Sequence, residues 1–124
     1  MLDRGVLREM CDGCGWSARE FRDFYLRGAA HLLAELKEAV AAAEHREIER
    51  IAHGWAGSTA TAGVVGLVPA LRRIEAAARE GRIEEDGLDE VESGLARVRA
   101  ELDRWCEAAT PGGLNSPAGG ASPS

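Results

Sequence analysis

Apolar residues recur with the period of an α-helix along most of the chain, and no stretch shows the two-residue period of a β-strand. Four long segments carry this pattern, and they begin near Ser17, Arg46, Leu67 and Leu88. The last segment is the most regular, with apolar residues at Leu88, Val91, Leu95, Val98, Leu102 and Trp105. Because each segment has one apolar face, the pattern predicts four helices that bury these faces against one another.

Residues at the ends of the segments predict where the helices begin and end. Ser17 and Glu20 have the spacing of a capping box at a helix N-terminus. Gly63 and Gly81 follow the second and third segments, as helix-ending glycines do. Pro69 is tolerated in a first helical turn, where its missing amide proton is not needed. Since the connections are short, we predict an all-α fold: an antiparallel up-down four-helix bundle.

The chain divides into three parts by composition. The first part, residues 1–15, is predicted to form a short extra N-terminal helix and a linker. One side of this helix carries Leu2, Val6, Leu7 and Met10. Residues 16–109 contain the four-helix bundle. From Thr110 the sequence consists mainly of Pro, Gly, Ser and Ala, so residues 110–124 are expected to form a disordered tail.

Length and charge restrict the classes of function. The chain has 124 residues, which suits one small domain, and its net charge is -6. This charge argues against partners such as nucleic acid and anionic membranes. The sequence has no apolar run that could span a bilayer and no signal-peptide pattern, so a cytoplasmic protein is expected. Three cysteines are an odd number, which argues against a disulfide framework.

The second segment presents an unusual histidine. His53 lies roughly 160° from Trp55 around the helix axis, so the ring is predicted to face solvent. Gly54 and Gly57 each cost a helix interior about 1 kcal/mol relative to alanine. Glycines beside an outward histidine indicate a surface that another molecule approaches closely. The positions one and two turns beyond the ring are also small: Ala56, Gly57 and Ala60.

The chemistry available to this histidine is nucleophilic. A neutral imidazole is a competent nucleophile near neutral pH. In its own helix, no Asp or Glu stands three or four residues beyond His53 to orient the ring, and no Ser or Cys nucleophile pairs with it. Such a histidine is better suited to accepting a group from a partner's active site than to running hydrolysis alone.

Residues 53–58 read HGWAGS, and Ala60 to Gly63 follow; this stretch resembles the His-x-x-Lys-Gly-Ser signature of histidine-containing phosphotransfer (HPt) domains. The resemblance extends over roughly residues 17–107. It implies that His53 is the phosphoryl acceptor and that Gly57 leaves room for a partner at the ring. Ser58 matches the small polar residue that often follows this glycine.

The resemblance also implies the partner. Receiver domains of response regulators or hybrid histidine kinases would exchange phosphoryl groups with the chain, docking around His53 on its helix and the preceding one. The aspartate and the magnesium ion belong to the receiver, so the chain needs no cofactor of its own. We therefore expect a monomeric relay module without autonomous catalytic activity.

The sequence departs from the signature at one position. Ala56 stands where the family usually has a lysine, which removes a positive charge near the phosphorylated ring. Arg50, three residues before His53, is one candidate to compensate. Lys37, the only lysine in the chain, is another, because antiparallel pairing about residues 44–45 places it near the level of His53. The alternative for each residue is an ordinary solvated surface charge.

Two other functions fit the sequence. The first is a docking protein that binds receiver domains without transferring phosphate. The second is a metal or redox regulator built on the pair Cys11 and Cys14. Zinc normally needs four ligands, and the other candidates are Cys106 and the scattered histidines, so packing is the simpler interpretation of this pair.

Overall fold

The computed structural model describes residues 1–109, apart from the side chain of Glu85, and this part of the chain is built from helices alone. The helices are α1 (Arg4–Cys14), α2 (Ala18–Ala41), α3 (His45–Thr61), a 3-10 turn (Val65–Leu67), α4 (Val68–Arg79) and α5 (Glu85–Ala109). The predicted all-α bundle is confirmed. The predicted disordered tail, 110–124, lies outside the described residues.

The helix ends follow the predicted signals. The Ser17 hydroxyl accepts a hydrogen bond from the Glu20 amide (3.1 Å), and the Glu20 carboxylate accepts one from the Ser17 amide (2.9 Å). Gly63 and Gly81 follow α3 and α4 with φ of 88° and 77°, a left-handed conformation that favours glycine. The turn between α2 and α3 contains no glycine, and there Ala43 adopts a φ of 54°.

Helices α2 to α5 surround one core, and α1 adds to it. The core contains large side chains that are almost fully buried, among them Phe21, Leu36, Trp55, Leu71 and Leu102. Leu7 and Cys11 of α1 are buried with them. The amide of Asp3 also donates a 2.7 Å hydrogen bond to the carbonyl of Gly63, just beyond α3. The N-terminal segment is therefore fixed against the end of the bundle.

No helix between residues 1 and 109 combines the length and the apolar character that a membrane span requires.

Candidate functional site

His53 projects from the outer face of α3. Its side chain is 67% exposed, whereas Trp55, two residues later, is 1% exposed and lies in the core. The predicted orientation of both residues is confirmed. The imidazole is therefore accessible to another protein.

A carboxylate from the neighbouring helix orients this ring. His53 Nδ1 lies 2.8 Å from Oε2 of Glu75 on α4, and the Glu75 side chain is buried. Burial raises the pKa of Glu75, but hydrogen bonds from His53 and Arg72 outweigh this effect and hold the pKa below its ordinary value. Glu75 is therefore ionised at neutral pH.

The ionised carboxylate determines which ring nitrogen carries the proton. A carboxylate can only accept hydrogen bonds, so Nδ1 of His53 is the donor to Glu75. In the neutral imidazole, Nε2 then has no hydrogen and keeps its lone pair. The arrangement therefore presents Nε2 as the nucleophile.

Glu75 is not among the site residues predicted from the sequence, because an orienting group was expected only within the helix of His53. Glu75 lies 22 residues further along the chain and reaches the ring only because α3 and α4 pack side by side. A signal was present in the sequence. Glu75 interrupts the apolar stripe of α4, one turn after Leu71 and next to Ile74, where a charged side chain needs a buried partner.

Two arginines complete the surroundings of Glu75. Arg72 Nη1 donates to Glu75 Oε1 (3.0 Å), and Arg79 Nη2 donates to Oε2 (2.8 Å). Arg79 Nε also donates to Glu49 on α3 (2.8 Å). The buried negative charge thus has charged hydrogen-bond donors on both oxygens, as buried charges require.

The pairs Glu49–Arg79 and His53–Glu75 show that α3 and α4 run antiparallel. Arg72 on α4 therefore lies level with Ala56 and Gly57, which follow His53 by one turn on α3. Ala56 and Gly57 lie on different sides of the ring of His53, because successive residues turn by about 100° around a helix.

The expectation that Ala56 belongs to the open surface is wrong. Ala56 is completely buried (0% exposed), because this position is rotated from the line of His53 toward the packed interior. The surface beside the ring is instead formed by Gly54 and Ala60, which are exposed, and by the half-buried Gly57. Ser58 is exposed, and its hydroxyl donates to the carbonyl of Trp55 (3.2 Å).

The two glycines near the ring are not required by the fold. A Cβ atom added at Gly54 or at Gly57 would meet no atom within 4 Å, and neither glycine has a positive φ. Packing within the chain therefore does not explain why alanine, a better helix former, is absent from these positions.

The two cations proposed to replace the family lysine are engaged elsewhere. Arg50 lines the same shallow depression as His53, but its Nε and Nη2 both donate to Glu47 (2.9 and 2.5 Å). Lys37 Nζ lies 2.7 Å from Glu92 on α5, and Lys37 does not line the depression around His53.

An apolar groove of about 520 Å³ lies on the other side of α3, between α1, α2 and α3. Gly57 and Ser58 border it on α3, and Phe24 of α2 stands in it with 57% of its surface exposed. Met10 and Trp16, before α2, also line it. An apolar surface thus lies next to the exposed histidine.

The fold places the two cysteines of the pair in different environments. Cys11 is buried, Cys14 is exposed, and burial raises the pKa of the Cys11 thiol. Within the part of the chain that the structure describes, no group of three or more His, Cys, Asp or Glu side chains is placed to hold a metal ion.

Comparisons with known proteins agree with this fold. The sequence model of the Hpt domain family matches residues 20–105, from the first turn of α2 to the last part of α5. The chain belongs to this family of histidine-containing phosphotransfer domains and is a histidine phosphotransfer relay module. Hpt proteins interact with receiver domains of response regulators and kinases in two-component systems.

Among solved structures, the chain is similar to histidine-containing phosphotransfer protein B (HptB) from Pseudomonas aeruginosa PAO1. The TM-score is 0.75 with 21% sequence identity, over 86% of this chain and 95% of that one. This likeness supports the fold. No curated protein matches the chain.

Proposed function

We propose that His53 is the phosphoryl acceptor of this relay module. It takes the group from the aspartyl phosphate of a receiver domain and passes it to the aspartate of a receiver domain. The observation that carries this proposal is an exposed ring whose Nδ1 is bonded to buried Glu75, which leaves Nε2 available beside Gly54 and Gly57.

In the transfer step, the Nε2 lone pair forms a bond to phosphorus. The bond between phosphorus and the receiver's aspartate oxygen breaks, and the aspartate leaves as a carboxylate. The proton on Nδ1 stays in place, so the ring gains positive charge as the new bond forms. Glu75 accepts the Nδ1 hydrogen bond and stabilises that charge, which makes it a positioning residue for His53.

The remaining chemistry belongs to the partner. The receiver contributes the aspartate and the magnesium ion, and this chain, acting as a monomer in the cytoplasm, contributes the nucleophile. Positioning of reactants accounts for much of the acceleration in phosphoryl transfer. We therefore expect no phosphatase or kinase activity from the chain alone.

The receiver docks over His53 and the apolar groove between α2 and α3. Phe24 offers the largest exposed apolar side chain in residues 1–109, and burial of such side chains drives protein association. Gly57 borders both the groove and the histidine, so its missing side chain lets the receiver approach the ring. Met10 and Trp16 lie before residues 20–105, which the family model matches, and add a further wall to this groove.

Transfer of label tests the proposal. The purified full chain is mixed with receiver domains of its own organism that carry ³²P-phosphate on the aspartate. We expect label on the wild-type chain that survives alkali and is lost in acid, as for phosphohistidine. The His53→Gln variant should remain unlabelled, whereas the controls His31→Gln and His45→Gln should be labelled as the wild type.

Two outcomes contradict the proposal. Label that reaches His53→Gln as it reaches the wild type would assign the acceptor elsewhere. Receiver binding that is equally tight for wild type and His53→Gln, with no label transferred, would identify a docking protein.

A further inference from the structure

Phosphorylation of His53 would add negative charge next to carboxylates that are already present at this site. A phosphoryl group on nitrogen or oxygen carries close to two negative charges at neutral pH. The ring that receives it is already bonded to ionised Glu75, and Glu49 lies one turn away on the same helix. A cation must therefore lie within reach of the phosphoryl oxygens if the phosphorylated state is to be favourable.

The hydrogen bonds of the nearby arginines distinguish those that are held from those that are not. Arg46 is exposed and lines the depression around His53, but it lies two turns before the ring, whereas Ala56 lies one turn after it. Arg79 is held by two carboxylates, and Arg50 is held twice by Glu47. Within residues 1–109, Arg72 makes one side-chain hydrogen bond, from Nη1 to Glu75. Its side chain is 48% exposed, so its other guanidinium nitrogens remain available to a ligand.

Arg72 can move at the cost of one charged donor to Glu75 and without breaking the hydrogen bond of the ring. It bonds Oε1 of Glu75, whereas His53 and Arg79 both bond Oε2. Its guanidinium can therefore leave Glu75 while the Nδ1 hydrogen bond is kept. Because α3 and α4 are antiparallel, Arg72 approaches from the level of Ala56, the position that a lysine occupies in the family signature.

We propose that Arg72 binds the phosphoryl oxygens on Nε2 of phosphorylated His53 and takes the place of the lysine that this chain lacks. This inference rests on the proposed function of His53. The guanidinium suits the role because its planar donors bind phosphate oxygens in pairs. Arg79 keeps Glu75 in place meanwhile, so one arginine fixes the carboxylate and the other follows the phosphoryl group.

The test uses a chemical phosphate donor, phosphoramidate, and needs no receiver. His31 and His45 are replaced by glutamine so that His53 is the histidine labelled, and ³¹P resonances are followed against pH. A bound guanidinium favours the dianionic phosphoryl group. We therefore expect Arg72→Ala to raise the titration midpoint of the phosphoryl group by about half a pH unit. Arg72→Lys should bring the midpoint part of the way back to the wild-type value.

Arg73→Ala is the matched control. Arg73 is the next residue, has similar exposure and pairs with Glu90 on α5, so its loss should leave the ³¹P titration unchanged. The ¹⁵N resonance of Nδ1 should shift much less in Arg72→Ala than in Glu75→Gln, because Arg72 bonds Oε1 of Glu75 and the partner of Nδ1 is Oε2. If Arg72 acted only by supporting Glu75, Arg72→Ala would shift the Nδ1 resonance as strongly as Glu75→Gln does.

The inference is overturned if Arg72→Ala titrates like the wild type, or if its Nδ1 resonance shifts as in Glu75→Gln. Failure of His53 to take label from phosphoramidate would overturn it as well. The proposed function has a separate test, since it depends on transfer from a receiver. A chain labelled by receivers but insensitive to Arg72→Ala would keep its relay function and lose only this role for Arg72.

Discussion

His53 and Glu75 belong to different helices, yet a 2.8 Å hydrogen bond from Nδ1 to Oε2 joins them. The bond links an exposed imidazole to a buried charge. It fixes the orientation of the ring and leaves the free lone pair on Nε2. The reactivity of this surface histidine therefore depends on the packing of α3 against α4.

Removal of the Glu75 charge should slow phosphoryl transfer. Glu75→Gln keeps an oxygen that can accept from Nδ1, but it no longer stabilises positive charge on the ring, so we expect transfer to slow by about tenfold. Glu75→Ala also releases the ring and should slow transfer further. Rapid-quench measurement of label transfer checks both. Glu80→Gln, an exposed position just after the same helix, should transfer as the wild type.

Glu75 should also contribute to the pH dependence of stability. Its pKa is lower in the folded protein than in the unfolded chain, so the folded state resists protonation. The stabilisation is present above the unfolded value, near pH 4.5, and is lost as the pH falls further. Urea unfolding at a series of pH values should show a shallower loss of stability below pH 5 for Glu75→Gln than for the wild type.

Glu47→Gln is the control for that measurement. Glu47 also has a lowered pKa, through its hydrogen bond from Arg50, but the pair lies on the surface and solvent screens it. Its replacement should change the acid limb much less. Parallel curves for Glu75→Gln and the wild type would show that the Glu75 hydrogen bonds do not influence acid stability.

Two substitutions of Gly57 should separate its effect on stability from its effect on transfer. An added Cβ meets nothing within 4 Å, so Gly57→Ala should raise the free energy of unfolding by about 1 kcal/mol. Gly57→Leu places a large side chain where the receiver approaches His53 and should block transfer while the fold is kept. Circular dichroism and label transfer measure the two effects. Normal transfer by Gly57→Leu would exclude close approach at this position.

Phe24 should contribute to receiver binding more than to folding. Because its side chain is 57% exposed, Phe24→Ser should change stability little but weaken receiver binding by about tenfold or more. Val65→Ser is the matched control, since Val65 is 45% exposed and does not line the groove. Calorimetric titration with a receiver domain distinguishes them. Equal losses of affinity for both variants would place the docking surface elsewhere.

Local signals in the sequence predicted the local structure. The capping box at Ser17 and the glycines after α3 and α4 act within a few residues, so their conformations follow from chain neighbours. The outward direction of His53 followed from the period of one helix. The predicted family is confirmed by the match over residues 20–105.

Features that depend on contacts between helices could not be read in the same way. Glu75 reaches His53 across the α3–α4 interface, and a search along one helix does not find it. Ala56 was placed on the open surface because it lies near His53 on a helical wheel, but the position of α4 decides that it is buried. The partners of Lys37 and Arg50 depend on side-chain pairing between and along helices in the same way.

Helix α3 borders two different surfaces, a charged surface toward α4 and an apolar surface toward α2 and α1. The residues that orient the imidazole belong to the first, and those proposed to recognise a receiver belong mainly to the second. We therefore expect substitutions in Phe24 or Trp16 to redirect the module to a new signalling partner while its proposed reactive nitrogen stays unchanged. Such a layout would allow related pathways in one cell to diverge and remain insulated from each other.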